Sequence, residues 1–332
     1  MNTKYRFREG KYMEGPNGRI NYVLSFPDGK NKHNYDSPLV LCFHGLLGSL
    51  SSYNRFEKEC LKEGLAVLMM DMPGHGLSYW RYFGSLTLDD FRKQVDTVLN
   101  NLGLNELKLY LVGISMGGLF SIHYAGVYPD KVLKVAALCP AGYCREPNYI
   151  QKIVLNYFPI GLYISENIFP TYLFSKRKEF EDDYYDHKKV DEDVIESKFF
   201  RHKYYGRQLR ATFSRVVTGF DFWNNDEVYD RFLKHYISQR GNNGVCFYLG
   251  LHDELVTIEK ITSKLSKLVP KSRAIVYEKC KHQVLDEPDT IISDIIGYLK
   301  FGSSQEYYQS IGVSIDSIKI EDSQSTVISQ SK

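Results

Sequence analysis

Short apolar runs recur along the chain and alternate with segments whose apolar residues repeat every three to four positions. Each run is rich in Val, Leu, Ile or aromatic residues and has the length of a strand buried on both faces. The strand-like runs cover residues 39–45, 65–71, 107–115, 132–141, 245–250 and 274–278. The helix-like segments cover residues 88–102, 117–128, 258–268 and 290–299. This alternation predicts an α/β fold with a doubly wound, mostly parallel sheet.

A hairpin is predicted ahead of the parallel strands. Residues 5–12 and 20–26 are strand-like, and the segment 15–18 between them has glycine at both ends. A glycine-containing turn between two strands favours antiparallel pairing. We therefore expect this pair at one edge of the sheet.

The alternation stops between residues 142 and 241, where Tyr, Phe, Lys, Arg and Asp crowd together and strand-like runs disappear. The apolar stretch 153–174 contains two prolines, a glycine and Glu166, which favours lid helices over a membrane span. We therefore predict four parts. They are a first part of the α/β core at 1–141, an inserted helical cap at 142–241, a second part of the core at 242–302 and a polar, flexible tail at 303–332.

Composition and charge narrow the class of protein. The chain has 332 residues, of which 43% are apolar and 25% charged, as is typical of a globular enzyme. Its net charge is +2 and its basic residues are interspersed with acidic ones, so no nucleic-acid partner is expected. Residues 1–30 lack the apolar core of a secretory signal, and no run has the length of a membrane span, which predicts a cytoplasmic protein.

The cysteines and the glycine-rich motifs argue against a metal or a nucleotide. The cysteines form no C-x-x-C pair and lack the spacing of a zinc site: Cys42, Cys60, Cys139, Cys144, Cys246 and Cys280. We expect buried free thiols in a reducing compartment. The phosphate-binding patterns G-x-x-x-x-G-K-[ST] and G-x-G-x-x-G follow none of the predicted strands. Neither a metal nor a cofactor is predicted.

A G-x-S-x-G pattern at residues 113–117 carries the main chemical signal. It directly follows a predicted strand and precedes a predicted helix, which is the context of a nucleophile elbow. A serine at the tip of such a turn is held in a strained backbone conformation, and the flanking glycines let neighbouring elements approach closely. We predict that Ser115 is a nucleophile and that the N–H of Met116, at the helix N-terminus, stabilises an oxyanion.

A serine nucleophile needs a histidine base and an acid that orients it, and in an elbow-containing α/β fold they follow the serine in the order acid, histidine. Asp253 lies at the carboxyl end of a predicted strand, where open α/β sheets assemble their sites. Glu254 is the alternative acid. His282 comes after the next strand and before the last helix, so its loop overhangs the cleft. We predict that His282 is the base.

Position along the chain decides between His282 and the other histidines. His252 is adjacent to Asp253, so its ring cannot easily face the same direction. His44 and His75 precede glycines in turns, where a ring bonded to the backbone is expected. The remaining histidines lie before the acid, either in the first part of the core or among charged residues of the insertion: His33, His123, His187, His202 and His235.

A second oxyanion donor is expected in the loop after the first parallel strand. Residues 43–48 read Phe-His-Gly-Leu-Leu-Gly, and we choose the backbone N–H of Leu46.

Four blocks of sequence resemble the α/β-hydrolase family, and specifically its monoglyceride-lipase and lysophospholipase-like esterases. They are the loop at 43–48, the segment 71–78 (Asp-Met-Pro-Gly-His-Gly-Leu-Ser), the elbow at 113–118 and the segments around Asp253 and His282. With the sheet between them, they cover nearly all of residues 39–299 apart from the insertion. The resemblance implies that Leu46 and Met116 are the oxyanion donors, that 71–78 is a structural turn beside the cleft, and that the substrate is a small-molecule acyl ester of a single-chain lipid.

Two features depart from that pattern. Ile114 stands where these lipases often have histidine, and the insertion matches no cap of known substrate preference. Aromatic residues of the insertion predict either an apolar acyl tunnel or ordinary cap core: Tyr157, Phe158, Tyr163, Phe169, Tyr172 and Phe174. Basic residues of the same stretch predict peripheral contact with a membrane surface: Lys152, Lys176, Arg177 and Lys178.

The sequence leaves other functions open. Family members that open epoxides or remove halogens carry aspartate at the elbow, so Ser115 argues against those reactions. Carbon–carbon bond hydrolases of the same fold do use serine, and a small-ester esterase is a further alternative. A non-catalytic receptor on a hydrolase scaffold is an alternative of a different class.

Overall fold

A computed structural model describes residues 5–80, 84–145, 176–256, 258–261, 263, 273–287 and 290–302. The described strands form one sheet of eight strands in the order β1-β2-β4-β3-β5-β6-β7-β8. Their bounds are β1 Lys11–Gly15, β2 Gly18–Ser25, β3 Leu39–Phe43, β4 Val67–Met70, β5 Leu109–Ile114, β6 Val132–Leu138, β7 Val245–Gly250 and β8 Arg273–Tyr277. The strands from β3 to β8 pair in parallel, and the two pairings of β2 are antiparallel. The predicted mostly parallel sheet is confirmed.

The described helices lie on both faces of this sheet and in the insertion between β6 and β7. Their bounds are α1 Asn54–Lys62, α2 Leu88–Leu102, α3 Met116–Val127, α4 Arg177–Glu181, α5 Glu192–Gly219, α6 Asp226–Arg231 and α7 Ile291–Phe301. The helix α6 continues through a π-helical turn, Phe232–Ile237, to Arg240. None of these helices is both long enough and apolar enough to cross a membrane.

Alternating side chains of the parallel strands enter two separate cores. In β3, Leu39, Leu41 and Phe43 pack on the face covered by α2 and α3, while Val40 and Cys42 pack on the face covered by α1 and α7. Both sets are fully buried. A strand buried on both faces cannot alternate apolar with polar residues, which explains the continuous apolar runs in the sequence.

The hairpin lies at the predicted edge of the sheet, but its first strand was placed wrongly. The strand begins at Lys11 rather than Tyr5, and Gly15 pairs with Gly18 across a two-residue turn. Residues ahead of Lys11 are bound by side chains instead of by a neighbouring strand. The N–H of Arg8 donates to the Ser51 hydroxyl at 3.3 Å, and that of Gly10 donates to the Asn21 side chain at 2.8 Å.

The helix α5 joins the insertion to the core through buried apolar side chains, Val216 and Val217, and through backbone and polar contacts. A Cβ on Gly219 would lie 2.0 Å from the carbonyl oxygen of Leu86, so the two backbones touch. The N–H of Leu86 donates to the carbonyl of Arg215 at 2.9 Å, and the Thr212 hydroxyl donates to the carbonyl of Gly74 at 2.6 Å. These contacts fix α5 over the turn that follows β4.

Several sequence predictions lie wholly or partly outside the described residues. These are the lid segment 153–174 with its six aromatic residues, Lys152 of the predicted membrane contact, the tail at 303–332 and most of the helix at 258–268, of which residues 258–261 and 263 are helical. The six cysteines are free thiols, and five of them are buried, as predicted.

Candidate active site

Ser115 lies at the turn between β5 and α3 and has a strained backbone. Its φ is 54° and its ψ is −116°, a conformation that non-glycine residues rarely adopt. The flanking glycines make this turn sterically feasible. A Cβ on Gly113 would lie 2.1 Å from the carbonyl oxygen of Gly117, and one on Gly117 would lie 1.9 Å from that of Phe43. The turn has the predicted elbow geometry, and it requires glycine at both positions because no larger side chain fits there.

The neighbouring strand holds the backbone of Ser115 on both sides. The N–H of Ser115 donates to the carbonyl of Leu138 at 2.8 Å, and the carbonyl of Ser115 accepts from the N–H of Ala141 at 3.0 Å. These bonds to the end of β6 fix the backbone from which the hydroxyl projects.

Asp253 lies just after β7, is 5% exposed and has both carboxylate oxygens bonded. Oδ1 accepts from the N–H groups of Leu255 at 2.8 Å and Val256 at 2.9 Å, and Oδ2 lies 2.7 Å from Nδ1 of His282. Burial alone would raise the pKa of Asp253, but the bond to His282 and the two N–H groups outweigh it, so the pKa is lower than usual. Asp253 is therefore a carboxylate at neutral pH.

His282 is bound to this carboxylate from a loop that lies directly against the end of β7. A Cβ on Gly250 would lie 2.1 Å from the carbonyl oxygen of Lys281, and the N–H of His252 donates to the carbonyl of Cys280 at 2.9 Å. Because Asp253 accepts only from a protonated ring nitrogen, Nδ1 carries a hydrogen, and in the neutral ring Nε2 keeps its lone pair.

The alternatives to this pair lie elsewhere. Glu254 is exposed, and His252 is exposed with its ring 4.8 Å from that of Tyr185. His44 and His75 are buried and bonded to backbone carbonyls of Gly45 and Pro73, as predicted for histidines in turns.

The loop after β3 lies against the elbow and carries Leu46. A Cβ on Gly45 would be in van der Waals contact, 3.4 Å, with the Cβ of Ser115. His44 braces the loop, because its Nδ1 donates to the carbonyl of Gly45 at 2.8 Å and its Nε2 accepts from the N–H of Met72 at 3.0 Å. Among the described residues, the N–H of Leu46 has no protein acceptor. The N–H of Met116, in the first turn of α3, has no acceptor within its helix.

The turn after β4 is built around Asp71, which is buried. Its carboxylate accepts from the N–H groups of Leu50 and Leu77, both at 2.8 Å, and from the Asn21 amide at 2.7 Å. Burial raises the pKa of Asp71 to about 6, and these hydrogen bonds act in the opposite direction. Asp71 is thus occupied by a structural turn, in agreement with the role that the resemblance implied for 71–78.

Parallel pairing brings these groups to one edge of the sheet. Leu46 follows β3, Ser115 follows β5, Asp253 follows β7 and His282 follows β8, and all lie beyond the carboxyl ends of their strands. Side chains that follow neighbouring parallel strands share that edge, where ligands of open α/β sheets bind.

Sequence reasoning missed Cys139, which follows β6 at this edge. Its thiol, the Asp253 carboxylate and the His282 ring place ligand-type atoms within 4.8 Å of one another. Burial, and then the charge of Asp253, raise the pKa of the thiol well above its usual value, so it is a neutral thiol. Since Asp253 and His282 are already bonded to each other, the cluster fits a hydrogen-bonded pair better than a metal site. The sequence signal was only a cysteine at a strand end.

The chain belongs to the α/β-hydrolase fold family, whose model matches residues 38–289. Over 118 residues it is 30% identical to monoacylglycerol lipase ABHD6 of Homo sapiens. That match covers 35% of this chain and 35% of the lipase, so the chain spans about a third of the length of the relative it matches.

Solved structures of low sequence identity share the fold. A thermophilic esterase from Thermogutta terrifontis has a TM-score of 0.63 at 16% identity, with 89% of this chain and 100% of the esterase covered. A meta-cleavage product hydrolase from Pseudomonas fluorescens IP01 has a TM-score of 0.61 at 17% identity, with 93% of this chain and 100% of the hydrolase covered.

Proposed function

We propose that the protein is a serine hydrolase that cleaves carboxylic esters, with Ser115 as nucleophile, His282 as base and Asp253 as the acid that orients His282. The observation that carries this proposal is the 2.7 Å bond between Nδ1 of His282 and Oδ2 of Asp253, at the sheet edge to which the elbow also presents Ser115. The strained backbone of Ser115 supports it, since such strain is characteristic of nucleophile elbows.

The first half-reaction forms an acyl-enzyme. Nε2 of His282 takes the proton of the Ser115 hydroxyl as its oxygen attacks the ester carbonyl carbon. The carbonyl oxygen becomes an oxyanion that accepts from the N–H groups of Leu46 and Met116. As the intermediate collapses, the carbon–oxygen bond to the alcohol breaks and His282 returns the proton to the leaving alcohol.

The second half-reaction releases the acid. A water molecule gives its proton to His282 and attacks the acyl carbon, and the second tetrahedral intermediate collapses with return of that proton to Ser115. Throughout, the Asp253 carboxylate stabilises the imidazolium form of His282.

For the substrate, we propose a monoacylglycerol- or lysophospholipid-type acyl ester. The partial similarity to a monoacylglycerol lipase and the aromatic composition of the insertion support this class. We also propose that the protein works in the cytoplasm, where its free cysteines would stay reduced, and that the cap makes peripheral contact with a lipid surface.

Turnover of p-nitrophenyl acyl esters by wild type and Ser115→Ala tests the reaction. We expect wild-type turnover and near-complete loss in the variant, with unchanged far-UV circular dichroism. Full retention of turnover in Ser115→Ala would refute the role of Ser115.

A competition panel tests the substrate class. Monoacylglycerols, lysophospholipids, short esters and a carbon–carbon substrate of the meta-cleavage type compete against one fluorogenic ester. We expect the single-chain lipids to compete most strongly with the fluorogenic ester, and turnover to rise from acetate to medium and long acyl chains. Preference for acetate would identify a small-ester esterase, preference for the carbon–carbon substrate would change the reaction class, and binding without turnover would indicate a receptor.

A further inference from the structure

The loop that carries His282 has no helix or strand of its own. Residues 281–287, here called the histidine loop, consist of turns and bends between β8 and α7. The position of a catalytic ring on such a segment depends on contacts from outside the segment. On one side those contacts come from Asp253 and the end of β7. On the other side they come from the inserted helices.

Lys198, in the first half of α5, forms hydrogen bonds to two residues of the histidine loop. Its ammonium donates to Oε1 of Gln283 at 3.0 Å and to Oδ2 of Asp286 at 3.0 Å. It also donates to the Tyr184 hydroxyl, which itself donates to Oδ2 of Asp286 at 3.1 Å. Gln283 is the residue next to His282, so Lys198 binds the loop one residue away from the imidazole.

The Lys198 network is partly removed from water. The side chain of Lys198 is 25% exposed and that of Asp286 is 18% exposed. Tyr184 is buried in a small apolar cluster with Phe180 and Ile195. Charge-assisted bonds in such a setting fix geometry better than exposed ion pairs, which water and salt weaken.

A second connection supports the same arrangement. The Glu287 carboxylate accepts from the N–H of Lys281 at 2.7 Å and from the N–H of Tyr185. The ammonium of Lys281 donates to the carbonyl of Asp182 at 2.7 Å. Both ends of the histidine loop are therefore bonded to residues 182–198.

We propose that Lys198 is a positioning residue for His282, through which the inserted helices set the orientation of the imidazole. This inference rests on the proposed function, because it assigns His282 the role of base. Lys198 does not touch the reacting atoms. It acts through Gln283 and Asp286, and its loss lets the histidine loop shift without removing the Asp253 carboxylate.

The test compares Lys198→Met with Lys203→Met on a substrate too small to need the cap. Lys203 lies in the same helix, but it is exposed and its ammonium lies over the rings of Phe199 and Tyr204 at 5.9 and 5.7 Å. With p-nitrophenyl acetate we expect kcat to fall about tenfold in Lys198→Met, as for loss of an outer-shell partner that orients a functional histidine. KM and Tm should stay near wild type, and Lys203→Met should match wild type.

Two kinetic outcomes overturn the proposal. Unchanged kcat on acetate in Lys198→Met contradicts it, and so does a defect confined to KM for long-chain esters, which would make Lys198 a substrate contact. If Lys198→Met fails to fold, Gln283→Met removes the contact nearest to His282 from the other side, with the same expected loss of kcat. Lys198→Arg should restore most of the activity, since a guanidinium can also bridge the two acceptors.

A readout without turnover separates this inference from the proposed function. Because the Nδ1 proton of His282 is bonded to Asp253, we expect it to give a low-field proton resonance in the wild type. We expect Lys198→Met to broaden or shift it and Lys203→Met to leave it in place. If wild type hydrolyses no ester but the resonance still responds to Lys198→Met, the function fails and the positioning stands. An unchanged resonance contradicts the positioning.

Discussion

His44 shows how one buried side chain shapes the loop that lies against Ser115. Its ring is fully buried and bridges the carbonyl of Gly45 and the N–H of Met72. Only the neutral ring, protonated at Nδ1, can make both bonds. Burial lowers the pKa of His44 to about 4, against the weaker opposing effect of the Gly45 carbonyl.

This pKa predicts a pH dependence of stability. Because the folded pKa lies below the unfolded value of 6.5, the contribution of His44 is complete above pH 6.5 and is lost as the pH falls toward 4. When the pH falls from 7 to 5, the free energy of unfolding of the wild type should decrease by about 2 kcal/mol more than that of His44→Gln. Urea unfolding at both pH values measures this difference. The exposed His33→Gln serves as control, and equal slopes in His44→Gln and wild type would contradict the assignment.

Asp253 and Glu254 offer a matched pair of neighbouring carboxylates. In Asp253→Asn, Oδ1 still accepts from Leu255 and Val256, but the amide NH₂ faces Nδ1 of His282 and cannot accept its hydrogen. The ring then takes the wrong tautomer, and we expect kcat to fall by a factor on the order of 10³–10⁴ without loss of stability. Glu254→Gln should retain full activity. The reverse pattern would identify Glu254 as the acid.

Single residues also mark the limit of sequence reasoning. The sequence alone was enough to choose Ser115, Asp253 and His282 as candidate catalytic residues. Each follows a predicted strand, and the order of the three is characteristic of the fold. Lys198 and Cys139 were not selectable. Lys198 meets Asp286 across 88 positions of chain, and no local pattern encodes such a contact.

Among the elements, the elbow depends most tightly on its sequence. The carbonyl of Phe43 at the end of β3 occupies the place where a side chain at position 117 would begin. Apolar periodicity predicted the helix α2 with its true bounds, and residues at both ends stabilise those bounds. Thr87 and Asp90 form a capping box, and Gly103 ends the helix with a φ of 67°. The first strand of the hairpin lacked such end residues, and its start was missed.

The elbow predicts unequal effects of two glycine substitutions. Gly117→Ala brings a Cβ to 1.9 Å from a backbone oxygen, so β3 or α3 must move, at a cost of about 3 kcal/mol or more. Gly206→Ala, within α5, meets only the flexible end of Arg210 at 2.8 Å and should gain roughly 0.5–1 kcal/mol of helix stability. Chemical denaturation measures both. Equal changes in the free energy of unfolding would show that the chain has room for a side chain between position 117 and the carbonyl of Phe43.

At the scale of the whole molecule, a sheet covered on both faces places the candidate site at one edge, where the described inserted helices contact the histidine loop. Apolar runs of strand length and their alternation with helices predicted the sheet. They could not predict how α5 lies on the core, because besides its apolar residues its position is set by backbone contacts and single polar bonds to Leu86, Gly74 and Gly76.

These contacts predict that the inserted helices and the core unfold together. The two tryptophans report on different parts: Trp80 is buried in the core, and Trp223 lies between α5 and α6. In the variant Trp80→Phe, the fluorescence of the remaining Trp223 should show the same urea transition as far-UV circular dichroism. In the variant Trp223→Phe, the fluorescence of the remaining Trp80 should show that transition too. An earlier transition for Trp223 alone would mean that the inserted helices detach first.

The most direct measurement of the central claim is the site and rate of fluorophosphonate labelling, read by mass spectrometry of the peptide that contains Ser115. A phosphonate reacts with a serine hydroxyl only when a base activates it. We predict an adduct on Ser115 in the wild type and a large loss of labelling rate in His282→Ala, with both proteins folded. Labelling of Ser115 at the same rate in His282→Ala, or no adduct on Ser115 in the wild type, would contradict the account.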